Sequence, residues 1–345
     1  MLKTIFVVDD SDTNLAMAEE TLEKQYRVMT LPSAAKMFTL LEKVTPDLIL
    51  LDITMPEMTG FEAMKRLKAS GSHDIPVIFL TGLTDPADEA YGIELGAVDF
   101  ITKPFSEPVL LNRIKNHLHI DELIRERTAH LIRLQNGLVF ALADLVENRD
   151  RDTGGHIDRT TSYIKILLDA MMARGVYVDE ISGWNLDQVA SSARLHDIGK
   201  IAIPDAILNK PGSLTHEEFE TMKTHAAEGQ RIIEQIVSRT GEAEFLRSAK
   251  LSAGYHHERW DGSGYPYGIK TTEIPLQGRI VAIVDVYDAL VSGRPYKKPF
   301  VEEEAIRVIV DGTGKHFDPS IAEVFYEIKD QIVDVRAKLL QQNVC

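Results

Sequence analysis

Seven residues in the second half of the sequence, His156, His196, Asp197, His225, His256, His257 and Asp285, are of the types that bind divalent transition metals. Imidazole and carboxylate without thiolate suit borderline first-row ions, Fe, Mn, Ni or Zn, and do not choose among them. His196 and Asp197 are neighbours, so both enter one pocket only where a helix turn or kink directs them there. The two carboxylate oxygens can then serve two ions. The reading puts His156, His196 and Asp285 on one metal and His225, His256 and His257 at or near a second, with Asp197 bridging. Two such ions, about 3.5–4 Å apart, would activate water and hold a phosphate for in-line attack, which is phosphodiester hydrolysis. A single helical histidine is more often a core or surface residue, and His73, His117, His119, His130 and His216 are left in that class. His256-His257 is set apart because two adjacent imidazoles ahead of a turn-rich loop need partners if they are buried.

A second group of reactive side chains lies in the first third. Asp9, Asp10, Asp52, Thr81 and Lys103 follow short β-type runs. Three carboxylates at adjacent strand ends repel one another unless a hard cation sits among them, and Mg2+ with oxygen ligands meets that demand. A carboxylate beside Mg2+ can accept a phosphoryl group while a lysine neutralises the developing charge.

The elements that must position these groups can be read from periodicity. Strand patterns at Ile5–Val8, Tyr26–Thr30, Leu48–Leu51, Val77–Leu80 and Asp99–Ile101 alternate with helical ones. Five such repeats predict an α/β doubly wound, five-stranded parallel sheet with its ligands at the carboxyl ends of the strands. From Glu107 a helix pattern runs on, with Ile124, Leu131, Leu134, Leu138, Ala141 and Leu145 spaced by threes and fours. That seam suits a homodimeric coiled coil through the connector helix, or burial against the chain's own second domain, since Arg127 interrupts it. After Asp150 the patterns at Ser162–Arg174, Thr215–Ser238, Glu242–Tyr255, Ile280–Leu290 and Val301–Val310 are helical, predicting a mostly α-helical domain. The expected division is residues 1–118, a helical connector 119–149, and residues 150–345.

At 345 residues there is room for two domains, each with its own core. A net charge of -15 argues against DNA and membrane-surface partners, which need a basic face. Cys345 is the only cysteine, so disulfides and thiolate sites within one chain are excluded. The opening Met1-Leu2-Lys3-Thr4 is unlike a signal peptide and no apolar run approaches bilayer length, so a cytoplasmic location is expected.

Asp9-Asp10, the stretch from Asp52 to Gly60, Thr81 and Lys103-Pro104-Phe105 resemble the receiver domain of two-component response regulators over about the first 118 residues. The resemblance implies that Asp52 is the phosphoacceptor, Asp10 the Mg2+ ligand assisted by Asp9, Thr81 the switch hydroxyl and Lys103 the phosphate contact. Phe100 stands at the switch aromatic, often Tyr in the family. A cognate sensor histidine kinase is the implied partner.

His196-Asp197 with Lys200, Lys210-Pro211-Gly212, the loop Glu258 to Pro266, Asp285 to Leu290, Arg294-Pro295-Tyr296-Lys297 and Phe317-Asp318-Pro319 closely resemble the HD-GYP family, a branch of the HD phosphohydrolases. The family implies cleavage of cyclic di-GMP to pGpG, and in some members on to GMP. It assigns catalysis to Lys200 with Asp197, and substrate binding to Arg294 and Lys297. Tyr265 is given to shaping the pocket and, with its loop, to contacts with a diguanylate cyclase or adaptor. Members with a third metal carry Glu four residues before the first ligand His; here Asp152 stands there, one methylene shorter, so two metals are expected. The alternatives are a non-catalytic cyclic di-GMP sensor, or a hydrolase of another cyclic dinucleotide or nucleotide phosphate. Phosphorylation at Asp52 is expected to control the output, activating it through the connector helix.

Overall fold

Runs of Val, Ile, Leu and Phe too short for buried helices build the sheet of the first unit, while longer amphipathic runs make the helices of the second. The structure, a computed structural model, describes residues 2–70, 75–82, 86–149, 155–292 and 299–342. It divides into two compact units, Met1–Leu131 and Ile132–Cys345.

The first unit runs β1 (Thr4–Val8), α1 (Asp12–Leu22), β2 (Arg27–Leu31), α2 (Ala34–Leu41), β3 (Leu48–Asp52), α3 (Gly60–Ala69), β4 (Val77–Thr81), α4 (Pro86–Glu94), β5 (Asp99–Thr102) and the start of α5 (Glu107–Arg149). The strands are all parallel in the order β2-β1-β3-β4-β5. β3 and β4 are buried throughout and read as unbroken apolar runs, as strands covered on both faces must. Two cores result, one including Phe6, Ile49 and Phe79, the other Ile5, Leu50 and Ile78. Leu110, Ile114 and Leu118 of α5 complete the second.

The sequence reading ended β3 and β4 one residue early. The ladder continues through Asp52, paired with Leu80, and Thr81, paired with Thr102, so both are the last residues of their strands. Tyr26 leaves the expected second strand because its N–H donates to the Leu22 carbonyl, closing α1.

The second unit holds the rest of α5, then α6 (His156–Arg174), α7 (Val178–Ile181), α8 (Leu186–Ser192), α9 (Asp205–Leu208), α10 (His216–Thr240), α11 (Glu244–Tyr255), α12 (Leu276–Val291), α13 (Glu302–Asp311), α14 (Pro319–Glu327) and α15 (Lys329–Gln342). Tight 3-10 turns occupy Ala193–Leu195, Ile198–Ala202 and Thr271–Glu273. α12 is the central helix, buried along most of its length because its sequence is apolar on nearly every side. Tyr163, Leu167, Tyr287 and Phe325 are fully buried in the main core around it. α10 starts with a capping box in which Thr215 and Glu218 satisfy each other's backbone N–H groups. On α5, Val139, Ala143 and Val146 are buried while Ile124, Leu131, Leu134, Leu138 and Leu145 are exposed. The sequence seam is therefore not the face that this unit covers.

Candidate metal and phosphoacceptor sites

Among the described residues, three groups of side chains are close enough to share a cation: Asp197 with His225, His256 and His257; His156 with His196 and Asp285; and Asp9 with Asp10 and Asp52. The first two adjoin one another in the second unit. α8 tightens into the 3-10 turn Ala193–Leu195, and a second 3-10 turn starts at Ile198, so His196 and Asp197 lie between two tight turns. This is the kink that lets two sequence neighbours enter one pocket. His225 comes from the middle of α10, His256 and His257 from the end of α11, Asp285 from α12, and His156 opens α6.

Asp197 is placed between the groups. Its Oδ1 lies 3.3 Å from His225 Nε2 and 3.7 Å from His256 Nε2, and its Oδ2 lies 3.5 Å from His196 Nε2. Asp285 Oδ1 is 3.5 Å from His156 Nε2 and 3.8 Å from His196 Nε2. Lys200, one turn past Asp197, brings Nζ to 2.9 Å from Asp197 Oδ2. Gly199 makes this segment possible: a Cβ there would stand 1.9 Å from the His225 carbonyl oxygen and 2.4 Å from the Gly229 nitrogen. The turn thus lies backbone to backbone on α10.

Four of the five rings are held from behind. Nδ1 of His196 faces the Ala193 carbonyl at 2.9 Å, Nδ1 of His225 the Met222 carbonyl at 2.7 Å, and Nδ1 of His256 the Ala253 carbonyl at 3.0 Å. A carbonyl only accepts, so Nδ1 carries the proton and Nε2 presents a lone pair to the centre. His156 is held instead by Asp288, Nδ1 to Oδ2 at 2.8 Å, and Asp288 is itself gripped by Arg159 through two bonds of 2.8 and 2.9 Å. Two buried atoms in this pocket, His196 Nε2 and Asp197 Oδ1, have no hydrogen-bond partner. Buried polar atoms are rarely orphaned, and a cation, which accepts lone pairs from nitrogen and oxygen alike, satisfies both at once. The donor set therefore fits divalent metal.

Electrostatics agree. Burial holds His225 down to about 4 and His257 well below its ordinary range, so both are neutral near pH 7. Burial would raise the Asp197 carboxyl, but the Lys200 charge and the surrounding imidazoles hold it well below the usual carboxylate range. His156 differs: burial favours its neutral form, yet the Asp288 bond and the Asp285 charge outweigh it and push the ring up to about 9.

Tyr265 packs its ring over His257 with centroids 4.7 Å apart and is held up by burial as an un-ionised phenol. The loop around it is tied by Glu258, whose Oε1 accepts from the N–H groups of Tyr267 at 2.7 Å and Gly268 at 3.2 Å. Arg294, Lys297 and Asp152 lie outside the described residues.

In the first unit, Asp9 and Asp52 are buried and Asp10 is exposed. Lys103 Nζ bridges Asp9 Oδ2 at 2.6 Å and Asp52 Oδ1 at 2.7 Å. Asn14 donates to Asp9 at 3.0 Å, and the Ser11 N–H does so at 2.9 Å. Burial, beyond what Lys103 offsets, leaves the Asp52 carboxyl raised, so its charge is poorly compensated without a cation. Thr81 is buried at the neighbouring strand end, and Phe100 packs against Phe79 with centroids 5.4 Å apart.

Asp288, Arg159 and Asn14 are functional neighbours that the sequence reading did not single out. A signal existed for two of them: Asp288 is three residues after Asp285 and Arg159 three after His156, so each shares a helix face with a candidate ligand.

Residues 141–321 match the family model described as HD domain, and residues 5–115 match that of the response regulator receiver domain. A Vibrio cholerae protein named as a probable cyclic di-GMP phosphodiesterase is 41% identical, the alignment covering 99% of this chain and 81% of that one. The cyclic di-GMP phosphodiesterase response regulator RpfG of Xanthomonas campestris pv. campestris is 33% identical over 96% of this chain and 89% of its own. A 3'3'-cGAMP-specific phosphodiesterase 2 of Vibrio cholerae is 38% identical over 59% of this chain and 36% of that one. No helix among the described residues is long and apolar enough to cross a membrane.

Proposed function

The chain belongs to the HD-domain family, joined to a response regulator receiver domain, and on that premise we propose that it is a response regulator whose output hydrolyses cyclic di-GMP to pGpG. The observation that carries the reading is Asp197, a buried carboxylate with one oxygen toward His196 and the other toward His225 and His256, and with one of them otherwise unpartnered. His156, His196 and Asp285 would hold one divalent transition metal and His225, His256 and His257 a second, sharing Asp197. When bound, such ions neutralise phosphate charge and lower the pKa of water.

The chain's own groups supply the rest. Lys200 stands against Asp197, where its charge stabilises the phosphate or the departing oxygen. Tyr265 caps the His257 side of the pocket with an un-ionised hydroxyl. Arg294 and Lys297 are proposed to bind the second phosphate, giving a net-acidic chain its affinity for an anion. In the receiver, Asp52 accepts a phosphoryl group from a sensor histidine kinase, with Mg2+ on Asp9 and Asp10 and with Lys103 at the phosphate. The exposed seam of α5 pairs two copies of the chain, and the Tyr265 loop is available to a diguanylate cyclase or adaptor. Full identity of purpose with the 3'3'-cGAMP-specific relative is disfavoured, because the relatives aligned over nearly the whole chain carry cyclic di-GMP names.

The first test is turnover of cyclic di-GMP by anaerobically purified protein, with metal content determined on the same sample and 3'3'-cGAMP as competitor substrate. Asp197→Ala should abolish turnover, since the residue serves both ligand groups. A parent protein that binds metal and nucleotide but does not cleave cyclic di-GMP would return the chain to the sensor reading.

A further inference from the structure

The last turn of α5 reaches both the segment that follows Asp197 and the first residue of α6, His156. Arg149 donates through Nη1 to the carbonyls of Lys200 at 3.1 Å and Ile201 at 2.8 Å, and through Nη2 to that of Ile203 at 2.8 Å. Its Nε reaches Asp205 Oδ1 at 2.9 Å. Two of the carbonyls belong to the 3-10 turn Ile198–Ala202 and the third to Ile203, the residue that ends it. Two residues before Arg149, the Glu147 carboxylate accepts from the backbone N–H of His156 at 3.2 Å, at the opening of α6. Val146 and Glu147 line a small cavity together with His156, His196, Asp197 and Lys200.

The contacts differ from an ordinary surface pair. The Asp205 side chain is 71% exposed, so the Arg149–Asp205 ion pair is screened by water and contributes little. The bonds to three carbonyls of the segment that carries Asp197 and Lys200 are the specific feature, and only a planar fork makes them together.

We infer that the C-terminal turn of α5 is the positioning element of the metal site. Arg149 fixes the Asp197–Lys200 segment and Glu147 fixes His156, so this turn sets the spacing between the two ligand groups. The same helix starts at Glu107 and buries Leu110, Ile114 and Leu118 in the receiver core. A shift of the helix at its receiver end thus has a covalent route to the ligand spacing, with no intermediate element. The inference deepens the phosphodiesterase reading and rests on it for the reaction that is regulated.

The test uses the full chain with Arg149→Ala, Arg149→Lys and Asp205→Asn. Co2+ titration followed by its absorption spectrum, amide hydrogen exchange and cyclic di-GMP turnover are read on each, with and without beryllofluoride. Arg149→Ala should keep the parental thermal transition, exchange the amides of 198–203 faster and bind the second Co2+ about 10–100-fold more weakly. Its kcat should fall by a similar factor with KM nearly unchanged, and the response to beryllofluoride should disappear. Arg149→Lys should lie between Ala and parent, and Asp205→Asn should match the parent. Parental exchange and Co2+ affinity in Arg149→Ala would overturn the inference. So would loss of the thermal transition in both Arg149 variants, which would make the residue one that merely holds the fold. Co2+ binding and exchange do not involve the nucleotide, so a parent inactive on cyclic di-GMP sinks the phosphodiesterase reading alone.

Discussion

Asp288 and Arg159 show how much of the site lies behind its ligands. Asp288 is buried, accepts from His156 Nδ1 and is held by the Arg159 fork, so it fixes both the tautomer and the orientation of that ring. Carboxylate partners of metal-binding imidazoles raise ligand basicity, and their loss costs about 10–100-fold in metal affinity. Asp288→Asn keeps the shape but removes the charge. Metal retained after dialysis, and a Co2+ titration, should show one of two ions weakened by about that factor. Equal retention of both ions would show that Asp288 does not tune the site. The members of the two clusters were legible because His and Asp are chemically marked in a sequence. The partners of His196, His225 and His256 were not, because they are backbone carbonyls, which every residue has.

At the scale of elements, periodicity located the strands and the long helices and failed at their ends. Asp52 and Thr81 were read as following their strands, but parallel pairing carries the ladder one residue further. The 3-10 turns around His196 and Asp197 had no periodic signal, since three-residue turns are shorter than any repeat. His117, left as an ordinary helix residue, pairs with Asp99 at 3.0 Å, and Arg113 reaches the same carboxylate at 2.5 Å, pinning the first turns of α5 to β5. Burial would raise the Asp99 carboxyl, but the bonds from Arg113, the Phe100 N–H and His117 outweigh it and leave the group lowered. A carboxyl lowered by folding adds stability above its unfolded value near 3.8, and loses it as pH falls through the folded value. Asp99→Asn should therefore lower the receiver's unfolding midpoint at pH 7 and cost less at pH 3, below the unfolded value, read by thermal melts at both. An equal loss at the two pH values would assign the effect to packing instead of charge.

For the molecule as a whole, the open question on α5 is what covers its outer seam. Ile120, Ile124, Leu131, Leu134, Leu138 and Leu145 follow spacings that sum to sevens, with Arg127 and Ala141 in the same register, and their exposure runs from 50% to 67%. A repeat of 3.5 residues is the spacing that a second long helix demands, whereas packing on a globular core tolerates 3.6. Covering the exposed half of each of these side chains is worth about 1 kcal/mol, on two chains, against an association cost of about 4–15 kcal/mol. Gain and cost are of the same order, so pairing turns on how closely the two seams pack and on Arg127, whose stem can lie along the seam while its charge stays in water. Leu131 and Leu138 occupy equivalent places one heptad apart, so Leu131→Glu with Leu138→Glu puts four like charges against one another in the pair. Sedimentation of the parent at micromolar concentration should show a dimer, and the double variant a folded monomer with metal content unchanged. A parent that stays monomeric under beryllofluoride would rule the coiled coil out, and the seam would then belong to a partner other than a second copy of the chain.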